Sequence, residues 1–366
     1  MKTDESVGTQ AANGFAIQTF GRIVGGDPSS NWVYSPASLW FVLGMGAAGA
    51  SGRTRDEMTG VMGISGDLGP VVEARGGISG SNSLKMGNMV LCHDGYQIKR
   101  EFIDWCRAEM GSESWTRDFG DPKTVPEVNG WILDVTTGKI PELLGGLDPT
   151  LRMILINAIY FKGKWEEPFK DAVAKQFRHP DGPSECWMMK RERGELRYCQ
   201  GDGFQVVKLP YADRRSSMVL MLPNEGHTPA SVLGHLIVSG WQSVVGAMLT
   251  TEVEVQLPRF SIQRTMELEL MSVLQQMGMR DAFSVRDSDF SRMTDANDLY
   301  VQSILQRALI EVDEEGTEAA AATAMMFALQ SVSLGPVQVV FDRPFVYAIV
   351  DDVTGLISFV GVVDRP

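Results

Sequence analysis

Four cysteines in 366 residues, at Cys92, Cys106, Cys186 and Cys199, are too few and too scattered for a disulfide scaffold. None stands in a C-x-x-C pair, so the expectation is free, buried thiols and no zinc. A single Cys186–Cys199 bridge is the one pairing left open. Histidine is as scarce, with His93, His179, His227 and His235 and no H-x-x-x-H pair. There is no G-x-S-x-G nucleophile elbow and no G-x-x-x-x-G-K-[ST] phosphate loop. Metal, phosphoryl-transfer and serine-hydrolase chemistry therefore lack a signature. No apolar run approaches a membrane span; "LWFVLGMGAAGA" has about 12 residues against the roughly 20 needed. Basic residues are outnumbered 33 to 46, a net charge of −13, which argues against a general nucleic-acid binder. The basic cluster Lys190, Arg191, Arg193 is broken by Glu192 and reads as a solvated face. The N-terminus is polar and unlike a secretory signal. The expected location is extracellular if a signal peptide was removed and cytoplasmic otherwise.

Charge is also missing from one long internal stretch. After Glu318 no charged residue occurs until Asp342. Within it, "GTEAAAATAMMFALQ" is rich in helix formers. As a helix it has neither an apolar stripe nor a polar face. With a period of two, Thr317, Ala319, Ala321, Thr323, Met325, Phe327 and Leu329 form one uncharged face, small first and large later. The opposite face is also small. No proline interrupts the run, so no ladder donor is missing. Gly316 adds backbone freedom at its start.

The remaining chain mixes segregated helices with mostly antiparallel strands, an α+β pattern. Helices are expected over 15–24, after the Ser35-Pro36 turn, within "QIKREFIDWCRAEMG", from about 126 to 136, and in "MELELMSVLQQMG". Thr54 to Glu57 has the form of a capping box opening a short helix through Met62. The Gly- and Ser-rich stretch 63–87 reads mainly as connection, with room for one short helix. "LRMILINAIYFKGKW" reads as a long buried strand, "FQVVKLPYA" and "SSMVLMLP" as hairpin strands, and "QSILQRALIEVDEEG" as strand. "TEVEVQLPRFSI" alternates, with Val253, Val255 and Leu257 on one face. The segments "FVYAIVDD" and "LISFVGVVD" flank Asp352-Val353-Thr354-Gly355 as a hairpin.

Several of these segments, in order, resemble the serpin family. They are "NWVYSPASLWFVLGMGAAGASGRTRDEM", "LINAIYFKGKWEEPF", "LPRFSI", "DSDFSRM", "LYVQSILQRALIEVDEEGTEAAAATA" and "DRPFVYAIVDDVTGLISFVGVV". The resemblance covers nearly the whole chain. It implies one domain over 1–366, with eight to nine helices around three β-sheets and an exposed reactive-centre loop at about 314–337. It also implies a protease inhibitor and not an enzyme, monomeric, with no cofactor, no membrane and no nucleic-acid partner. In inhibitory members the loop is bait. A serine protease cleaves it, is held as an acyl-enzyme, and is dragged away as the loop inserts into the central sheet. About 15 inserted residues would span about 50 Å. Each new ladder bond contributes ~0.5–1.5 kcal/mol net, and burial of Met325, Phe327 and Leu329 adds ~1.5–3 kcal/mol each.

Matched by position, the hinge is Glu314, Gly316, Thr317, Glu318, Ala319, Ala320, Ala321 and Ala322. Family spacing from Gly316 places the reactive bond at Gln330–Ser331, with Leu329–Gln330 as the alternative. The segment from Gly316 to Phe341 is longer than in the commonest members, and counting back from Phe341 lands near Ser333. Phe327–Ala328 is a further bond suited to chymotrypsin- or elastase-type enzymes. No Arg or Lys lies between Gly316 and Asp342, which disfavours trypsin-like targets. The shutter matches are Ser35, Ser38 and Asn157, with Gln306 where the family usually has histidine. Gln306 can hydrogen-bond but cannot titrate. The breach matches are Trp165, Arg259 and Glu314. The region equivalent to the family's heparin site, roughly 63–85, carries only Arg75 and Lys85, which argues against heparin. The implied partner is a serine protease bound covalently. A cysteine-protease target, or a non-inhibitory carrier, chaperone or ligand, are the other readings. Non-inhibitory members often have bulky, charged or proline residues in the hinge, and Ala319 to Ala322 of this hinge include none.

Overall fold

The computed structural model describes residues 5–78, 80, 83–317 and 335–366. In chain order the first part runs α1 (Val7–Gly26), β1 (Trp32–Tyr34), α2 (Pro36–Gly49), α3 (Gly52–Val61), α4 (Gly69–Ile78), β2 (Leu84–His93), α5 (Arg100–Met110), β3 (Glu113–Arg117) and α6 (Thr124–Val135). The middle runs β4 (Met153–Phe161), β5 (Gly163–Lys164), β6 (Lys170–Phe177), β7 (Ser184–Gln200), β8 (Phe204–Pro210), β9 (Ser216–Pro223), α7 (Pro229–Ser239), α8 (Trp241–Ala247), β10 (Leu249–Pro258), β11 (Phe260–Met266) and α9 (Leu268–Met277). The last strands are β12 (Val301–Val312), β13 (Gly316–Thr317), β14 (Val337–Val340), β15 (Phe345–Asp351) and β16 (Ile357–Val363). Among the described residues there are thus nine α-helices and three sheets, within the eight to nine helices and three sheets that the resemblance implied.

The largest sheet has the order β1-β16-β15-β9-β8-β7-β10-β14, with β6 also paired to β7. The second has five strands in the order β11-β12-β4-β2-β3, and the third joins only β13 to β5. At the centre of the five-stranded sheet β4 and β12 lie side by side, parallel and hydrogen-bonded, with Asn157 opposite Gln306. This pairing is the seam on which the site turns. Every residue of β4 is buried, because α6 covers one face and α2 together with the large sheet covers the other. One face meets α2, an apolar helix that also packs on β16 and so links the two large sheets. Ser35 caps α2, accepting from the Ser38 amide, and Pro36 opens its first turn. On the other face α6 sends Val128 and Ile132 onto Met89, Leu91, Ile154, Ile156 and Leu305. Gly87 allows this approach, since a Cβ there would lie 2.7 Å from Val135 Cγ2.

The expected alternation in β10 holds, with Val253, Val255 and Leu257 buried, and β15 and β16 form the expected antiparallel hairpin. Two expectations are corrected. Helix α3 begins at Gly52 after Ser51, not at a Thr54–Glu57 box. Tertiary partners outcompete the local cap: Thr54 Oγ1 accepts from the Asp289 amide at 2.9 Å, and the Glu57 carboxylate accepts from the Arg280 and Asp281 amides at 2.8 Å. The basic cluster on β7 is not uniformly solvated either. Lys190 and Arg193 are exposed and paired with Glu254 and Glu252, but Arg191 is 4% exposed. Its Nη2 donates to Glu167 at 2.7 Å, while among the described residues Nε and Nη1 find no hydrogen-bond partner. Burial pulls this guanidinium below its ordinary value despite Glu167. An under-satisfied buried cation is costly. We therefore expect Arg191→Met to raise stability by about 1–3 kcal/mol, read as a higher urea midpoint at unchanged slope. Glu167 loses little, being half exposed.

Candidate functional site

Beneath the β4–β12 seam the structure gathers all four expected shutter residues. Gln306 sits on β12 and is fully buried. Its Oε1 accepts from the Ser35 amide at 2.9 Å, and its Nε2 donates to the Ser35 carbonyl at 2.8 Å and to Asn157 Oδ1 at 2.7 Å. Asn157 Nδ2 donates in turn to Ser38 Oγ and, at 2.6 Å, to Asn88 Oδ1. Ser38 Oγ donates to Asn88 Oδ1 at 3.3 Å, and Ser35 Oγ donates to the Ser358 carbonyl at 2.7 Å. Register places the three amides in a row across adjacent strands, Asn88 opposite Asn157 and Asn157 opposite Gln306. Buried polar groups in such a row fix which strands lie together, since each is expensive to leave unpaired. Parting β4 from β12 breaks the Gln306–Asn157 bond along with the backbone ladder. Asn88 was not singled out from the sequence. The signal was there: one asparagine inside the apolar run "MGNMVLC".

At the head of the seam stands a second cluster. Trp165 Nε1 donates to the Asp313 carbonyl at 2.9 Å, and its amide donates to the Glu315 carbonyl at 2.9 Å. Arg259 Nε bonds both carboxylate oxygens of Glu314, at 2.9 and 2.8 Å. Glu314 Oε1 also accepts from the Ala172 amide at 3.0 Å. The three expected breach residues therefore meet around one turn. Burial alone would raise the Glu314 carboxyl, but the Arg259 bonds and the backbone amides outweigh it and hold it below the ordinary 4.5. A depressed carboxyl contributes stability above its unfolded value and loses it as pH falls. The stability gap between wild type and Arg259→Gln is therefore expected to be full at neutral pH. It should shrink as pH drops from about 4.5 downward. Thermal unfolding midpoints along a pH series measure it.

The turn itself leads into the hinge. The Asp313 amide donates to the Gly316 carbonyl at 2.9 Å, and Asp313 Oδ1 accepts from the Glu315 and Gly316 amides at 3.0 and 3.2 Å. Gly316 and Thr317 then pair antiparallel with Lys164 and Gly163. Gly316 has φ 151°, and a Cβ there would strike the Gly163 carbonyl and lie 2.6 Å from Lys164 Cα. Glycine is thus required by close backbone approach as well as by conformation. Thr317 is fully buried. Glu318, Ala319, Ala320, Ala321 and Ala322, and the candidate bonds at Leu329, Gln330 and Ser331, lie outside the described residues.

All four cysteines are free. Cys186 and Cys199 sit near opposite ends of β7, which rules out a bridge between them. Burial pushes the Cys92 thiol up to about 12. Of the two cations in the region compared with the heparin site, Arg75 is on α4 and Lys85 on β2. No described helix is long and apolar enough to cross a membrane.

A family model described as serpin, serine protease inhibitor, matches residues 10–366. Glia-derived nexin of Mus musculus is 30% identical, over 96% of this chain and 91% of its own. A solved structure of native protease nexin-1 with heparin superposes with a TM-score of 0.87 at 28% identity, over 98% of this chain and 99% of that one. Thyroxine-binding globulin in complex with thyroxine shares the fold, with a TM-score of 0.85 at 24% identity over 98% of this chain and 99% of that one. The family model, the relative and the α+β architecture agree, and the chain belongs to the serpin family.

Proposed function

We propose that this serpin is an inhibitor that traps a serine endopeptidase of chymotrypsin- or elastase-like preference as a covalent complex. The observation that carries the reading is the placement of Gly316 and Thr317. They follow β12 through a tight turn and run antiparallel on β5, at the end of β4 and the head of the β4–β12 seam. A strand entering between two parallel strands from such a turn must run in that direction. Loop 314–337 would be attacked at Gln330–Ser331 or Leu329–Gln330. The serine of the protease would take the acyl group and the new amino terminus would leave. The small, uncharged residues from Ala319 onward would then follow Thr317 into the seam as Gln306 and Asn157 part. The absence of Arg and Lys between Gly316 and Asp342 supports the preference for an apolar or neutral bait.

The test is incubation with chymotrypsin, elastase, trypsin and a papain-type cysteine protease, followed by a denaturing gel and the mass of the released C-terminal peptide. A complex that survives denaturation, formed with chymotrypsin or elastase, is expected. Its peptide should begin at Ser331 or Gln330. Complete cleavage across the panel without any such complex overturns the inhibitory reading in favour of a carrier or ligand. A complex with the cysteine enzyme alone reassigns the target class.

A further inference from the structure

We infer that Tyr211 is a positioning residue for loop insertion, seating the Thr317 hydroxyl at the head of the β4–β12 seam so that insertion starts from a strand already begun. This rests on the inhibitory reading above and adds to it a residue outside the hinge, shutter and breach matches.

Tyr211 directly follows β8 and is fully buried. Its hydroxyl lies 3.0 Å from Thr317 Oγ1. Among the described residues, each hydroxyl has the other as its one hydrogen-bond partner. A buried hydroxyl without a partner is costly, so the pair is held from both sides. The ring is fixed independently. It stacks on Trp165 with centroids 4.5 Å apart and planes 8° from parallel, and it lies 4.8 Å from the Phe161 ring. Its backbone is fixed too: its amide donates to the Ser216 carbonyl at 2.9 Å, and the Ala212 amide donates to the Lys164 carbonyl at 2.7 Å. Tyr211 is therefore attached to β5 and β9, outside the β4–β12 pair itself. Burial pushes its hydroxyl above the ordinary value, so it stays protonated and uncharged. Thr317, by contrast, is the last described residue of the hinge and has only two residues of pairing with β5 behind it. The hydroxyl pair adds a side-chain anchor to that short ladder. A seated Thr317 leaves only Glu318 and later residues to be drawn in. An unseated one must first recover Gly316 and Thr317 from solvent.

The test uses the full chain and the variants Tyr211→Phe, Thr317→Val and Thr317→Ser. Tyr211→Phe deletes one oxygen and keeps the stack, Thr317→Val deletes the partner hydroxyl, and Thr317→Ser keeps it. The first readout is amide hydrogen exchange at 315–317 without protease, with the amides of β15 as an internal reference for global stability. The second is the ratio of denaturation-resistant complex to cleaved inhibitor with chymotrypsin or elastase. Tyr211→Phe and Thr317→Val are each expected to speed hinge exchange about three- to tenfold relative to β15 and to lower the ratio by a similar factor. Thr317→Ser should behave as wild type, and the double variant should match either single one. Hinge exchange unchanged, or raised equally in β15, overturns the proposal. So does faster hinge exchange with an unchanged complex ratio. If wild type forms no complex with any protease, the inhibitory reading falls by itself, and hinge exchange still decides whether Tyr211 seats Thr317.

Discussion

Thr317→Arg is expected to turn the proposed inhibitor into a substrate. The reactive bond is cut as fast as in wild type, but the ratio of stable complex to cleaved protein falls on the order of a hundredfold, about 3 kcal/mol between the two competing barriers. The cause is the seat that Thr317 occupies. It is fully buried against Tyr211 and the β5 backbone. A guanidinium there would be taken out of water, and burying it without a partner costs several kcal/mol. The intact protein avoids that cost by releasing two residues of β13 to solvent. An inserted loop cannot, because residue 317 must enter first. Insertion is delayed while deacylation proceeds. The measurement is densitometry of complex and cleaved bands after a short incubation with chymotrypsin or elastase. Peptide mass would verify that the same bond is cut.

Gln306→Ala has the second large effect, on stability. Truncation removes three hydrogen bonds at once and leaves the Ser35 amide, the Ser35 carbonyl and Asn157 Oδ1 without these partners in a site closed to water. Each buried group left unsatisfied costs about 1–3 kcal/mol, so a loss of about 3–5 kcal/mol is expected. A urea titration followed by tryptophan fluorescence measures it. Because glutamine does not titrate, wild-type stability should show no step from this position between pH 5 and 8, about the range where a histidine would change charge.

How much of this was legible beforehand depends on the physical scale of each feature. Period-two alternation marked β10, and the turn residues between β15 and β16 marked their hairpin, because both are local signals. The meeting of Ser35, Ser38, Asn157 and Gln306, and that of Trp165, Arg259 and Glu314, was legible only through the family resemblance, since no local rule brings Ser35, Asn157 and Gln306 together. Their meeting is a matter of strand register and of α2 lying under the seam. Asn88 follows from the same register and was overlooked because one polar residue in an apolar strand has no partner until the sheet is known. Arg191 misled for the opposite reason. Its neighbours Lys190, Glu192 and Arg193 are charged, but β7 alternates, and position 191 points inward. The Thr54–Glu57 motif was locally sound and was overridden by backbone amides from residues remote in sequence. Tyr211 carried no signal at all, since a tyrosine after a short strand reads as core until its hydroxyl meets Thr317.

The most direct measurement is thermal unfolding before and after a single cut in the loop between Ala328 and Ser333. Insertion of the freed strand into the β4–β12 seam would add ladder hydrogen bonds and bury Met325, Phe327 and Leu329. That gain is comparable with the whole stability of a domain, ~5–15 kcal/mol. The cut protein is expected to unfold tens of degrees higher than the intact one. An unchanged or lowered midpoint after a verified cut would contradict insertion as the working step of this serpin.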